Sequence, residues 1–145
     1  MKGREDGADV TMNRDPDTQS ALAAIPFAGT LGIELQGATP EEVRGALRWA
    51  EELCTAGGVL HGGALMSLAD TIGAVCAFLN LPRGATTATI ESKTNFFRPL
   101  REGDVEAIAR PLHVGRTIIV VQTDLLDRSG KRIAQTTQTQ AVISR

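Results

Sequence analysis

The feature that most limits how this chain can fold is one long apolar segment, residues 59–80, which holds His61-Gly62-Gly63 near its start. Its apolar residues recur at the 3.6-residue period of an α-helix. The Leu-Pro-Arg-Gly stretch that follows marks the end of that helix. The segment therefore predicts one long helix in the middle of the chain.

Most of the remaining chain alternates like β-strands, two before the helix and four after it. The predicted strands are 31–38, 42–50, 86–98, 105–114, 117–126 and 132–143. Short turns join most of them, including the hairpin turn DRSGK at 127–131. This order predicts an α+β fold in which a curved antiparallel sheet of about five to six strands wraps a single long helix.

The length of 145 residues fits one domain. Residues 1–20 are polar and almost free of large apolar side chains, so we expect a flexible tail there and a single domain over 21–145. A short helix over 18–25 is expected to end at Pro26.

The composition narrows the possible functions. Aromatic residues make up 3% of the chain and Tyr is absent, so the core is predicted to consist of Ala, Val, Leu and Ile. A net charge of −2 gives no electrostatic reason to bind nucleic acid or an anionic membrane. We find no signal peptide and expect no apolar run long enough to span a membrane, which indicates a cytoplasmic protein.

Cofactor motifs are missing from the sequence as well. Cys54 and Cys76 form neither a metal-binding spacing nor a disulfide framework. No Gly-rich loop follows a strand in the manner of a dinucleotide site. We therefore predict no metal and no cofactor.

Asp70 is the one charged residue on the predicted helix. It lies opposite the apolar stripe formed by Leu65, Leu68, Ile72, Val75 and Leu79, on a face of small and uncharged residues. A solvated face normally carries several charges, so this face is predicted to meet another backbone or a ligand. Asp70 is then a partly buried carboxylate and a candidate catalytic group.

The glycines at the helix start suggest a second catalytic element. The first backbone N–H groups of a helix have no partner within it, and Gly62 and Gly63 carry no side chain to block a ligand from reaching them. These groups can stabilise a developing oxyanion. Asp70 lies roughly 12 Å farther along the axis, at about 1.5 Å per residue. One carbonyl can meet both only if the acid comes from a second subunit, which predicts a homodimer with two shared sites.

The two histidines are less specific. His61 is expected to orient the turn at the helix start more than to act as a general base, and no Gly-x-Ser-x-Gly motif signals a nucleophilic triad. His113 is predicted to be structural.

The motifs VLHGGALMSLAD, TIESKTNFFRP and HVGR, followed by a final alternating strand, resemble the PaaI-type acyl-CoA thioesterases of the hotdog fold. The resemblance extends over residues 26–143. It implies that the protein hydrolyses an acyl-CoA thioester and assembles as a homodimer through its sheet edges, with pairing into a homotetramer possible.

The resemblance also implies roles for individual residues. The Gly62 N–H would polarise the thioester carbonyl, and Asp70 of the partner subunit would act as general base or as nucleophile. Thr89 would help to place water. Gly63 and Thr55 would face the substrate; many relatives have Asn or Gln where this chain has Thr55, and a hydroxyl reaches less far than an amide.

Basic residues are expected at the nucleotide end of coenzyme A, with Arg116 of HVGR the first candidate and Arg98 the second. Ala64 and Met66 are candidate acyl-pocket residues.

Two other functions stay open at this point. A hotdog hydratase or dehydratase would pair a catalytic His with a carboxylate, for which His61 and Asp70 are present. A non-catalytic acyl-CoA-binding sensor would use the same fold without turnover.

Overall fold

The computed structural model describes residues 16–144. Its helices are α1 (Pro16–Ala23), α2 (Pro26–Leu31) and α3 (Gly62–Leu79), and two 3₁₀ turns, Glu51–Leu53 and Ala56–Gly58, precede α3. Its strands are β1 (Glu34–Ala38), β2 (Val43–Arg48), β3 (Thr86–Phe96), β4 (Asp104–Val114), β5 (Ile118–Leu126) and β6 (Arg132–Ile143). The predicted order of two strands, one long helix and four strands is confirmed.

The strands form one antiparallel sheet in the order β1-β2-β4-β5-β6-β3. Strand β3 does not pair with β4, its successor in the chain, but with β6, from Thr86 opposite Ile143 to Phe96 opposite Ala134. Helix α3 packs against the inner face of this sheet. The hotdog fold expected from the resemblance is therefore confirmed.

The sheet-facing side of α3 is the predicted apolar stripe. Leu65, Leu68, Ile72 and Val75 are buried, and only Leu79, at the helix end, is partly exposed. Gly45 of β2 allows a close approach, because a Cβ built there would lie 2.3 Å from Ile72 Cδ1. The contact between α3 and the sheet is thus too tight for any side chain at residue 45.

The core consists of small aliphatic side chains, as predicted. All four phenylalanines lie at the surface of the chain, with exposed fractions of 56% for Phe27, 53% for Phe78, 50% for Phe96 and 53% for Phe97. Large aromatic rings contribute most when they are buried. The exposed rings of Phe78 on α3 and Phe96 on β3 are therefore candidate contacts for a partner or a ligand.

The start of the domain differs from the prediction. Helix α2 occupies part of the predicted strand 31–38, and Pro26 begins this helix instead of ending the previous one. The reason is that Pro suits the first position of a helix. Helix α1 begins at Pro16, inside the segment expected to be a tail, and the tail prediction for residues 1–15 lies outside the described residues.

We expected no apolar run long enough to span a membrane, but one helix is long enough and apolar enough to do so, and the expectation is therefore wrong. Residues Gly62–Leu79 form an 18-residue helix with a mean hydropathy of 1.6. This helix is α3, whose apolar stripe of Leu65, Leu68, Ile72 and Val75 is covered by the sheet. Its hydropathy reflects the core of the domain.

We expect Gly45→Ala to lower the free energy of unfolding by about 1–3 kcal/mol, because the methyl group would collide with Ile72. Adding Ile72→Val, which removes the colliding Cδ1, should recover part of the loss. Urea unfolding measures both effects. Gly37→Ala is the control, since a Cβ at Gly37 has no neighbour within 4 Å. Equal stability of the Gly45 and Gly37 variants would contradict the packing described here.

Candidate functional site

The amino end of α3 presents one free backbone donor. The Gly63 N–H donates a 2.7 Å hydrogen bond to Nδ1 of His61, the residue that caps the helix. The Gly62 N–H has no acceptor anywhere in residues 16–144. Gly62 is therefore the residue whose N–H is available to a ligand, whereas the N–H of Gly63 is already used.

His61 serves as the helix cap through this hydrogen bond. Because Nδ1 accepts a hydrogen bond, it carries no proton, and the proton of the neutral ring is on Nε2. A Cβ at Gly63 would lie 2.9 Å from the same Nδ1, so the second glycine makes room for the capping ring. The geometry agrees with the prediction that His61 orients the turn.

A groove of about 350 Å³ opens beside Gly62. Its walls include Thr55 and Arg98, two of the predicted site residues, together with the ring of Phe96. A Cβ built on Gly62 would lie 3.2 Å from Phe96 Cζ. Any side chain at residue 62 would therefore press against this ring and narrow the approach to the free N–H.

Asp70 lies on the exposed side of α3, in line with Met66, Ala74 and Phe78. Within a single chain it is exposed, so the expectation of a partly buried carboxylate is not met by this chain alone. Two side chains donate to its Oδ1, Thr89 Oγ1 at 3.5 Å and Gln138 Nε2 at 3.2 Å. Thr89, for which the resemblance implies a role in placing water, thus lies beside Asp70 of the same chain.

Two glutamines that were not predicted as site residues support this pair. Gln138 and Gln140 lie on β6 with exposed fractions of 0% and 1%. Gln140 Nε2 donates to Thr89 Oγ1 at 2.8 Å, and Thr87 Oγ1 donates to Gln140 Oε1 at 3.2 Å. The alternation of Gln and Thr in QTTQTQ, within a strand with buried positions, was the available signal.

The predicted site residues form two groups at different places along α3. Thr55, Gly62 and Arg98 line the groove at its start, while Asp70 and Thr89 meet farther along the helix. Arg116 is exposed on the turn between β4 and β5. It precedes Ile119, which pairs with Gln140, so Arg116 lies toward the Asp70 end of the sheet.

A second cavity, of about 280 Å³, lies next to the Asp70 group. It is formed by aliphatic and aromatic side chains from the start of the domain and from α3, with Thr87 on one side. The lining residues are Ala21, Ala24, Ile25, Ala74, Val75, Phe78 and Thr87. Its Ala74 is one helical turn beyond Asp70.

Two alternative kinds of chemistry find no support at this site. Burial raises the pKa of the Cys76 thiol to about 11, so this thiol on α3 is protonated at neutral pH and is a poor nucleophile. Between residues 16 and 144, no group of three or more His, Cys, Asp or Glu side chains could hold a metal ion.

The geometry agrees with that of known proteins. The model of the Thioesterase superfamily matches residues 57–134. A thioesterase from Haemophilus influenzae superposes with a TM-score of 0.80 and 32% identity, over 85% of this chain and 86% of that one. A single-residue mutant of phenylacetic acid degradation protein PaaI from Thermus thermophilus gives 0.74 and 27%, over 80% and 97%.

Sequence comparison adds a relative with a named substrate. The 1,4-dihydroxy-2-naphthoyl-CoA hydrolase of Escherichia coli is 34% identical over 86 residues, which are 59% of this chain and 63% of the hydrolase.

We expect His61→Ala to lower the free energy of unfolding by about 0.5–2 kcal/mol, because α3 loses its side-chain cap. His61→Asn should recover most of that loss, since an Asn oxygen can accept the same hydrogen bond. Urea denaturation of the three proteins tests this. An alanine variant as stable as the parent would show that the cap contributes nothing.

Proposed function

Because this chain belongs to the thioesterase superfamily and is a thioester hydrolase, we propose that it hydrolyses an acyl-coenzyme A thioester at a site shared by two copies of the chain. The observation that carries the proposal is the pair of groups on α3: the unpartnered Gly62 N–H and the Asp70 carboxylate. The CoA moiety is supported by the naphthoyl-CoA hydrolase relative.

The Gly62 N–H donates to the carbonyl oxygen of the thioester. This donor, at the positive end of the helix dipole, stabilises the oxyanion that develops when the carbonyl carbon is attacked. The groove beside it gives the thioester access, and the Phe96 ring forms one wall.

Asp70 of the partner subunit supplies the second part of the reaction. As a general base it takes a proton from water while the water oxygen bonds to the carbonyl carbon; the C–S bond then breaks and the CoA sulfur leaves and takes up a proton. As a nucleophile it would bond to the carbonyl carbon itself, release CoA and leave an anhydride for water to hydrolyse. Both routes need the same carboxylate in the same place.

The shared site needs a dimer, and the free sheet edges suggest how it forms. One edge is β1, which is five residues long and interrupted by a bulge. The other is β3, which is eleven residues long and carries exposed Ile90 and Phe96. A long free edge offers unpaired backbone groups to another strand, so two β3 edges join and bring the exposed sides of two α3 helices together in antiparallel orientation.

This arrangement also accounts for the exposure of Asp70 in one chain. Asp70 is the only charge on α3, and its exposed neighbours Met66 and Phe78 are apolar. A second helix packed here covers all three side chains and brings Asp70 of the partner subunit toward Gly62.

The two ends of the substrate have separate candidate sites. Arg98 beside the groove, with Arg116 of the partner subunit, meets the phosphates of coenzyme A. The cavity next to Ala74 has an apolar lining and takes an aliphatic or aromatic acyl group. For a hydratase role His61 would have to act through Nε2, because its Nδ1 is used by the capping hydrogen bond.

The first test is thiol release from acyl-CoAs of increasing chain length and from phenylacetyl-CoA and benzoyl-CoA, followed with a disulfide dye. We expect the parent to release CoA and Asp70→Asn to lose at least about 100-fold in kcat, because the amide cannot take the proton. Enzyme without substrate serves as the background control, since Cys54 is partly exposed and can react with the dye.

The outcome separates the possible reactions. Release that persists in Asp70→Asn would show that Asp70 is not the catalytic group. A separate incubation with an enoyl-CoA that gives a hydrated product still bound to CoA, without thiol release, would replace hydrolysis by hydration.

A second test asks whether the site is shared. Gly62→Val, whose side chain would press against Phe96, and Asp70→Asn should each be inactive. Mixed dimers of the two keep one intact site, so co-expression should restore roughly a quarter of the parental activity per chain. Differently tagged chains, purified through both tags, confirm that mixed dimers are present. Mixed dimers without activity would place Gly62 and Asp70 of each site in the same chain.

A further inference from the structure

We propose that Gln138 is a positioning residue that fixes the Asp70 carboxylate so that its Oδ2 is the reacting oxygen. The inference rests on the proposed catalytic role of Asp70. It extends that role to a strand far from α3 in the chain and to a residue buried in the core.

The Asp70 carboxylate accepts hydrogen bonds at only one of its two oxygens within the described part of the chain. Gln138 Nε2 and Thr89 Oγ1 both donate to Oδ1, and nothing in the described part of the chain donates to Oδ2. A carboxylate held through one oxygen keeps a defined plane, and its other oxygen is left for water or for the carbonyl carbon. Thr89 is in turn held by Gln140 at 2.8 Å. The two glutamines of β6 thus support both groups that face the reaction.

The buried position of Gln138 lowers the stability of the fold. Its side chain is fully buried, and its Oε1 has no hydrogen-bond partner among the described residues. A buried amide with an unpaired oxygen destabilises a fold compared with an apolar side chain of the same size. A residue kept for stability alone would be apolar here, whereas one kept to orient a carboxylate must be a donor.

Helix α3 makes room for this amide at Gly73. A Cβ at Gly73 would lie 2.0 Å from Gln138 Oε1 and 2.6 Å from its Cδ. Gly73 and Gln138 therefore fit together, and the amide cannot keep its place if residue 73 has a side chain.

The experiment compares Gln138→Met with Gln135→Met in steady-state hydrolysis of the best acyl-CoA substrate. Methionine keeps the volume and removes the donor. Gln135 lies on the same strand but donates to Asp124 and not to the site, so it is the matched control. We expect Gln138→Met to lower kcat by about 10- to 100-fold and to change KM less than about twofold. The reason is that the variant loses the orientation of the Asp70 carboxylate but keeps the groups that bind the substrate. Gln135→Met should keep the parental kcat.

A second pair of variants tests the Gln138 amide through Gly73 of α3, which lies against it. Gly73→Ala should lower kcat in the parent by displacing Gln138, and should cost nothing more in a Gln138→Ala background, where the displaced amide is gone. Additive losses in the double variant would overturn the proposal, because they would show that Gly73 acts independently of Gln138. Thermal unfolding and the dimer fraction, measured for each variant, separate these effects from misfolding.

The two proposals fail in different ways. Full activity of Asp70→Asn would overturn the catalytic role itself. An inactive Asp70→Asn together with a Gln138→Met variant that folds and keeps the parental kcat would overturn the positioning role alone.

Discussion

Helix α3 lies against the sheet at a distance that only glycine allows, and the rest of the molecule depends on that contact. Gly45 of β2 has no side chain and so leaves space for the Ile72 side chain. Gly73 of α3 leaves space for the Gln138 amide in the same way. The first contact seals the core with aliphatic side chains. The second brings a buried amide close enough to reach Asp70 on the far side of the helix. Close packing therefore serves stability at one point and the site at the other.

The same helix carries the two proposed catalytic groups at separate places. Its first turn offers a backbone donor at Gly62, and its exposed side offers a carboxylate at Asp70, each held in place by a different set of neighbours. A rigid α-helix cannot bring the two together. The proposed catalysis is thus tied to dimer formation, and the exposed phenylalanines Phe78 on α3 and Phe96 on β3 fit a surface that the proposed dimer covers.

The sequence was sufficient for the parts that depend on local periodicity. The long helix, its buried stripe and the strand segments followed from the spacing of apolar residues. The pairing of β3 with β6 could not be read in this way, since strand order depends on contacts between distant residues. Helix α2 was missed because Pro26 can either end or begin a helix. At the site, Asp70 stood out as a lone charge, whereas Gln138 and Gln140 gained meaning only when β6 was found beneath α3.

The position of β3 in the sheet also sets the order in which the chain can fold. This strand leaves α3 before β4 and β5 are made, yet within the described chain it hydrogen-bonds only to β6. During synthesis the backbone of β3 has no partner strand in its own chain until β6 has emerged from the ribosome. Thr89 therefore cannot meet Gln138 and Gln140 before the last strand has been synthesised, and a nascent chain that lacks β6 lacks the proposed catalytic centre.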